Sequence, residues 1–199
     1  MTLTAVLLAG GESRRMGTDK AAIVFRGQPL WQRQIELLAS LSPEEIFVSV
    51  RKEPSWLPLE VELLLDEPPF RGPLSGLTRA LARMQTSHLA VLAVDMPFMT
   101  SEQMRILWSL ATIGCGVLPM IGDRAEPLAA VYPREASGEF LTALAGDNSS
   151  LQPLTRSLVQ AGKLRVFQVS PEDEEVYRSV NEPGDFKSPL LDAHLEFNA

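Results

Sequence analysis

The sequence predicts a three-layer α/β sandwich around a mainly parallel central sheet, and three observations carry that prediction. Apolar runs at 3–9, 46–50, 61–65 and 89–94 lack polar alternation, as strands covered on both faces do. Between several of them lie segments with apolar residues every three or four positions, the signature of amphipathic helices. The loops after the strands, at 10–20, 66–73 and 95–99, are rich in glycine, proline and charge. Strands alternating with helices indicate parallel pairing, and ligands then sit beyond the carboxyl ends of the strands.

The elements follow in order. Residues 3–9 form the first strand, ending at Gly10 and Gly11, and residues 23–25 a short strand closed by an Arg26-Gly27 turn. Pro29 suits a first helical turn, and Leu30, Trp31, Ile35, Leu37, Leu38 and Leu41 give one helical face. Strands at 46–50 and 61–65 precede the loop DEPPFRGP. A helix then starts near Pro73, with Leu74, Leu77, Leu81 and Met84 on its buried face. The strand at 89–94, which His88 begins, stops at Asp95-Met96-Pro97. Thr100 caps the next helix, with Gln103 as its capping-box partner. Runs at 117–120 and 128–132 flank Gly122-Asp123 as a strand pair. Helices at 140–145 and 151–161 and a strand at 164–169 complete the pattern.

The chain has 199 residues, 45% hydrophobic and 22% charged, which suits one soluble globular domain over 1–199. A net charge of -7 disfavours nonspecific binding to nucleic acid or an anionic membrane, so an anionic ligand needs a local cationic site or a metal. The N-terminal apolar run lacks a basic leader and is too short to span a bilayer, so it reads as a core strand. One cysteine, Cys115, excludes an intrachain disulfide and a cysteine metal cage and fits a reducing cytoplasm. Cys115 is expected in the core, and Met84, Met99, Met104 and the tryptophans read as packing rather than as a cofactor site. Neither His88 nor His194 has the setting of a triad base, which leaves a reaction whose nucleophile is already ionised, such as a phosphate monoester.

The stretch LLAGGESRRMGTDK holds the main chemical candidates. It is neither a Walker A loop nor a dinucleotide fingerprint, since its glycine spacing fits neither. A glycine loop after a strand lets backbone N–H groups approach phosphates or a base, with Arg14, Arg15 and Lys20 supplying charge. A solvated turn with incidental arginines is the competing reading. Asp95 ends an apolar strand, where a carboxylate suits Mg²⁺ held jointly with substrate phosphates; a loop or capping aspartate is the alternative. Asp66 suits a ribose or a metal-bound water, Gly72 a close backbone approach, and each also suits a turn before prolines. Asn181, in SVNEPGDF, offers a neutral oxygen near a Pro-Gly turn.

LLAGGESRRMGTDK, DEPPFRGPLSGL, VLAVDMPF, EPLAAVYP and SVNEPGDF stand in the order found in molybdenum cofactor guanylyltransferases, and over roughly residues 3 to 186 the chain resembles that family. The resemblance implies a Rossmann-like nucleotidyltransferase fold forming one domain. It implies transfer of GMP from Mg-GTP to the terminal phosphate of molybdenum-bearing molybdopterin, with release of pyrophosphate. By position, Leu8, Ala9, Gly10 and Gly11 would face guanine and ribose. Arg15 and Lys20 would face the phosphates with Arg14 close by, Asp66 would lie on the nucleotide side, and Asp95 would bind Mg²⁺. Asn181 would help position the metal or the acceptor. Transient contact with molybdenum-insertion or acceptor proteins is also implied, without nucleic acid or membrane.

Relatives that use CTP tend to carry alanine where this chain has Gly10. Ser49 and Arg51 replace asparagines of some members, and Ser179 replaces another. A cytidylyl- or sugar-phosphate nucleotidyltransferase and a noncatalytic nucleotide-binding regulator share enough of the pattern to stay as alternatives.

Overall fold

The computed structural model describes residues 1–10, 19–56, 58 and 61–186. In chain order the strands are β1 (Leu3–Leu8), β2 (Val24–Phe25), β3 (Gln28–Pro29), β4 (Glu45–Val50), β5 (Glu62–Leu65), β6 (His88–Ala93), β7 (Gly116–Ile121), β8 (Arg124–Ala125), β9 (Ala129–Pro133) and β10 (Leu164–Gln168). The α-helices are α1 (Leu30–Ala39), α2 (Pro73–Arg83), α3 (Ser101–Leu110), α4 (Ser137–Ala145) and α5 (Leu151–Gln160).

The main sheet runs β10-β7-β9-β6-β1-β4-β5, with β8 paired to β7. β1 lies between β4 and β6, parallel to both, and β5 continues the parallel run beyond β4. β9 runs antiparallel to β6 and β7, which makes the sheet mixed toward that side. The strand pair expected around Gly122-Asp123 resolves into two pairings. Gly122, at φ 55, turns β7 into the two-residue β8, while β9 returns along the full length of β6.

Both faces of the sheet are covered, as unalternated apolar strands require. Residues Ala5, Leu7, Val48 and Leu92 pack with Leu30, Leu37, Met104 and Leu107 of α1 and α3. On the other face Val6, Phe47, Leu89 and Val91 pack with Leu74, Leu77, Phe140 and Leu158 of α2, α4 and α5. No helix among the described residues is long and apolar enough to cross a membrane.

Local chemistry explains where elements begin and end. Arg26 (φ 51) and Gly27 (φ 80) form the two-residue turn between β2 and β3, both in the left-handed region that such hairpins demand. Pro29 stands just before α1 rather than inside it, and α1 ends at Ala39, short of Leu41. The Thr100 hydroxyl accepts from Gln103 N–H at 3.1 Å, as expected of the cap. The reciprocal half of the capping box does not form, because the Gln103 amide donates instead to the buried Tyr177 hydroxyl at 2.8 Å. Tyr177 sits in a 3₁₀ segment, Pro171–Tyr177, that has no apolar periodicity to reveal it.

Met84, Met99 and Met104 are fully buried, as expected. Cys115 is not: it is half-buried at the end of a tight turn closed by Thr112 and Cys115 backbone bonds, one residue before β7 begins. The turn places it at the sheet margin, where the strand's apolar continuation had suggested core. His88 begins β6 as expected and is buried, its ring nitrogens 2.9 Å from Ser87 Oγ and 3.0 Å from the Thr112 carbonyl. It serves packing at the end of β6 remote from Asp95.

Candidate nucleotidyl-transfer site

Two clusters assemble at the carboxyl ends of β1, β4, β5 and β6, on opposite faces of the sheet. The first joins Lys20, Asp95 and Asn181. Lys20 opens a single 3₁₀ turn, Lys20–Ala22, capped by the Asp19 carboxylate, which accepts from Ala21 N–H at 3.0 Å. The Lys20 ammonium donates to the Val180 carbonyl at 3.1 Å and to Asn181 Oδ1 at 2.9 Å, and lies 3.6 Å from Asp95 Oδ2. Val180 N–H donates to the Asp95 carbonyl at 2.8 Å, fastening the C-terminal segment to the end of β6. Residues 160 positions apart in the chain are thereby brought to one ammonium group.

Burial drives the Asp95 carboxyl above the usual carboxylate range, and the charge and hydrogen bonding of Lys20 only partly oppose that. A desolvated carboxylate gains most from a cation of higher charge density than one lysine. Among the described residues no group of three or more His, Cys, Asp or Glu side chains comes together. An all-protein metal cage is therefore not present there. Mg²⁺ binds through one or two carboxylates and completes its shell with water and phosphate, so Asp95 with the neutral Asn181 oxygen nearby fits that donor set.

The second cluster lies on the α2 face. A cavity of about 70 Å³ is lined by Leu8, Gly10, Ser49, Asp66, Gly72, Pro73 and Gly76. Asp66 follows β5, its N–H bonded to the Val50 carbonyl at 2.8 Å, and its carboxylate accepts from Ser49 Oγ at 3.0 Å. Burial raises the Asp66 carboxyl, while the Ser49 hydroxyl and the charges of Arg51 and Arg79 pull it back.

Glycine at residue 10 is explained by approach rather than by backbone strain. A Cβ there would stand 3.1 Å from Asp66 Oδ2 and 3.5 Å from Arg51 N. Gly72 is the reverse case, with φ 58 and ψ -137 and open space where a Cβ would project. Gly76 is the tightest of these three, since a Cβ would fall 2.3 Å from Ser49 Oγ.

The sequence-predicted residues thus separate. Lys20, Asp95 and Asn181 meet, and Leu8, Gly10 and Asp66 meet, whereas Ala9 turns away from the cavity to pack against the α1 and α3 face. Gly11, Arg14 and Arg15 lie outside the described residues. Sequence reasoning left Gly76, Asp19 and Trp56 unmentioned as site residues. Trp56 Nε1 donates to Asp19 Oδ2 at 2.8 Å while its ring stacks on Trp31 at 5.4 Å, anchoring the residue before Lys20. Only Gly76 had a signal, as a glycine inside a helical pattern.

Residues 5–165 match the model of the MobA-like NTP transferase domain. The chain belongs to that family. A relative in Opitutus terrae, named probable molybdenum cofactor guanylyltransferase, is 36% identical over 92% of both chains. Another in Cereibacter sphaeroides, named molybdenum cofactor guanylyltransferase, is 31% identical over 93% of this chain and 94% of its own. The fold is shared with molybdopterin-guanine dinucleotide biosynthesis protein A from Archaeoglobus fulgidus, at a TM-score of 0.69 and 24% identity over 92% and 94% of the two chains. A nucleotidyl transferase from Methanothermobacter superposes at 0.73 with 15% identity over 99% of each. The chain is accordingly a nucleotidyltransferase of the molybdenum cofactor guanylyltransferase type.

Proposed function

We propose that this enzyme transfers GMP from GTP to the terminal phosphate of molybdenum-bearing molybdopterin, forming the guanine dinucleotide and releasing pyrophosphate. The observation that carries the reading is the meeting of Lys20, Asp95 and Asn181 at the end of β6. An acceptor phosphate oxygen bonds to the α-phosphorus of GTP while the bond from that phosphorus to its bridging oxygen breaks. The electron pair of the broken bond leaves on pyrophosphate, so no proton acceptor is required of the protein, and the cluster's described residues, Lys20, Asp95 and Asn181, include no histidine.

Two anions must approach, and a unit-charge repulsion at 4 Å is worth about 4 kcal/mol at an effective dielectric of 20. Left uncompensated, that slows transfer by about three orders of magnitude. The Lys20 ammonium would exchange its present acceptors for the β- and γ-phosphate oxygens, stabilising charge on the leaving group. Arg15, with Arg14 close by, would add fork-like donors to the same phosphates. Mg²⁺, when bound at Asp95, supplies charge neutralisation across phosphate oxygens. Asn181, released from Lys20, would offer its oxygen toward the metal or acceptor. Leu8, Gly10 and Asp66 would form the nucleoside side, with Gly10 letting the Asp66 carboxylate lie against backbone. A lone cysteine and a phosphate-transfer chemistry with no redox step suit the cytoplasm.

The test is pyrophosphate release with molybdopterin and each nucleoside triphosphate in turn. Release with Mg-GTP and no other triphosphate is expected. Full turnover by a folded Asp95→Ala variant would reject the role given to that carboxylate.

A further inference from the structure

Phe70 is the one aromatic side chain among the large exposed apolar groups of the described residues, with 52% of its surface in water. Its backbone is nevertheless held on both sides. The buried Ser75 hydroxyl, on the first turn of α2, accepts from Arg71 N–H at 2.8 Å and donates to the Pro69 carbonyl at 2.9 Å. The Arg51 guanidinium lies over the ring, 5.0 Å from its centroid. Arg51 also borders the second cluster, since its backbone N and Cγ would lie 3.5 Å and 3.6 Å from a Cβ on Gly10. Gly72, two residues after Phe70, lines the cavity with Asp66. An apolar ring is thus kept in water, in a pinned loop, at the rim of the nucleoside side.

Leaving such a ring exposed has no benefit for folding, since burial of apolar surface is what stabilises. A ring held in place is suited to stacking, because a rigid π face receives a planar partner with little further loss of entropy. Aromatic rings stack on nucleobases, and a guanidinium over the opposite face adds a cation–π contact that holds the ring. We infer that Phe70, backed by Arg51, is a stacking platform for a planar heteroaromatic ring of one of the two substrates. The inference rests on the nucleotidyl-transfer reading, which supplies two such rings, the purine of the nucleotide and the pterin of the acceptor.

The experiment uses the full chain as Phe70→Ala, Phe70→Leu and Phe70→Trp, with thermal melts to show that each folds. Calorimetry gives Kd for Mg-GTP and for inorganic tripolyphosphate, and pyrophosphate release gives KM for molybdopterin. In the alanine and leucine variants either the GTP Kd or the acceptor KM rises about tenfold, equivalent to about 1.4 kcal/mol. Tryptophan stays within about twofold of wild type, and tripolyphosphate binding is unchanged in all, by the sequence-tolerant stacking such platforms show. A shift confined to GTP assigns the purine, and one confined to the acceptor assigns the pterin. Unchanged constants in Phe70→Ala, wild-type behaviour of Phe70→Leu, or parallel loss of tripolyphosphate binding each overturn the platform. Wild-type enzyme that binds GTP but releases no pyrophosphate defeats the transfer reaction while the GTP arm still reads Phe70. Wild type that neither binds GTP nor turns over acceptor overturns both.

Discussion

Gly76→Ala inverts an ordinary expectation. In the middle of a helix that exchange stabilises by about 1 kcal/mol, because alanine has less backbone entropy to lose. Here the new methyl would stand 2.3 Å from Ser49 Oγ, 3.2 Å from Ser49 Cβ and 3.1 Å from Leu8 Cδ2. Overpacking of this kind costs about 1–3 kcal/mol. Relief by rotating the Ser49 hydroxyl breaks its 3.0 Å bond to Asp66, and hydrogen bonds to charged groups contribute about 1.5–3 kcal/mol. Partial exposure of Asp66 places that loss at the low end. The Leu8 and Ser49 Cβ contacts persist after that rotation, so both costs apply, and set against the helix gain the net is destabilisation by about 1.5–3.5 kcal/mol, or about 3–14 °C in Tm for a chain of this size. The assay is a thermal double-mutant cycle with Ser49→Ala, read alongside GTP affinity. Removing the serine oxygen releases the clash, so Gly76→Ala should cost less by about 1 kcal/mol or more in the Ser49→Ala background. A Gly76→Ala single variant that is more stable than wild type and binds GTP equally well would refute the reasoning.

Further expectations concern the remaining contacts. Lys20→Met should lower Tm by a few degrees, since it strips Asp95 of the charge that partly offsets its burial, and should lower kcat of the folded enzyme by about 10²–10³, the usual effect of removing one preorganised charge donor, measured by single-turnover pyrophosphate release. Asp95→Asn should abolish Mg²⁺-dependent turnover yet gain stability at neutral pH. Burial raises the native Asp95 pKa, so between its unfolded and folded values the native state binds the extra proton and stability falls as pH rises; the difference in Tm between wild type and variant should therefore widen from acid toward neutral pH. Trp56→Phe keeps the ring stacked on Trp31 but removes the donor to Asp19, and should reduce kcat/KM several-fold with little change in Tm. Gln103→Leu leaves the buried Tyr177 hydroxyl without its donor and should lower stability by about 1–3 kcal/mol, read by chemical denaturation with activity retained in the folded fraction.

The linear order of residues was enough to reveal those features that depend on short-range pattern. Continuous apolar runs announced β1, β4, β5 and β6, because a strand buried on both faces needs no polar alternation, and a mainly parallel sheet with helices on both sides followed; the antiparallel β9 did not. Glycine, charge and proline at strand ends pointed to Lys20, Asp66 and Asp95, since the carboxyl edge of such a sheet is where backbone stops being paired. Asn181 joined them on motif order alone.

What pattern could not carry was decided by contacts between distant segments. That Lys20 is held by Val180 and Asn181 depends on the C-terminal segment docking on the Asp95 carbonyl, a long-range bond with no local signature. Periodicity does not report whether a short side chain such as Ser49 meets Gly76 or Asp66 across the sheet–helix interface. The same holds for the half-formed capping box, where Gln103 satisfied a tyrosine 74 positions away in preference to its own helix end. Cys115 read as core from its neighbours and lies at the margin because a turn ends there. Sequence thus determined which surfaces must be buried and which strand ends carry charge. Tertiary packing determined which polar atoms meet, because a hydrogen bond is settled by angstrom-scale approach between segments that local order leaves free.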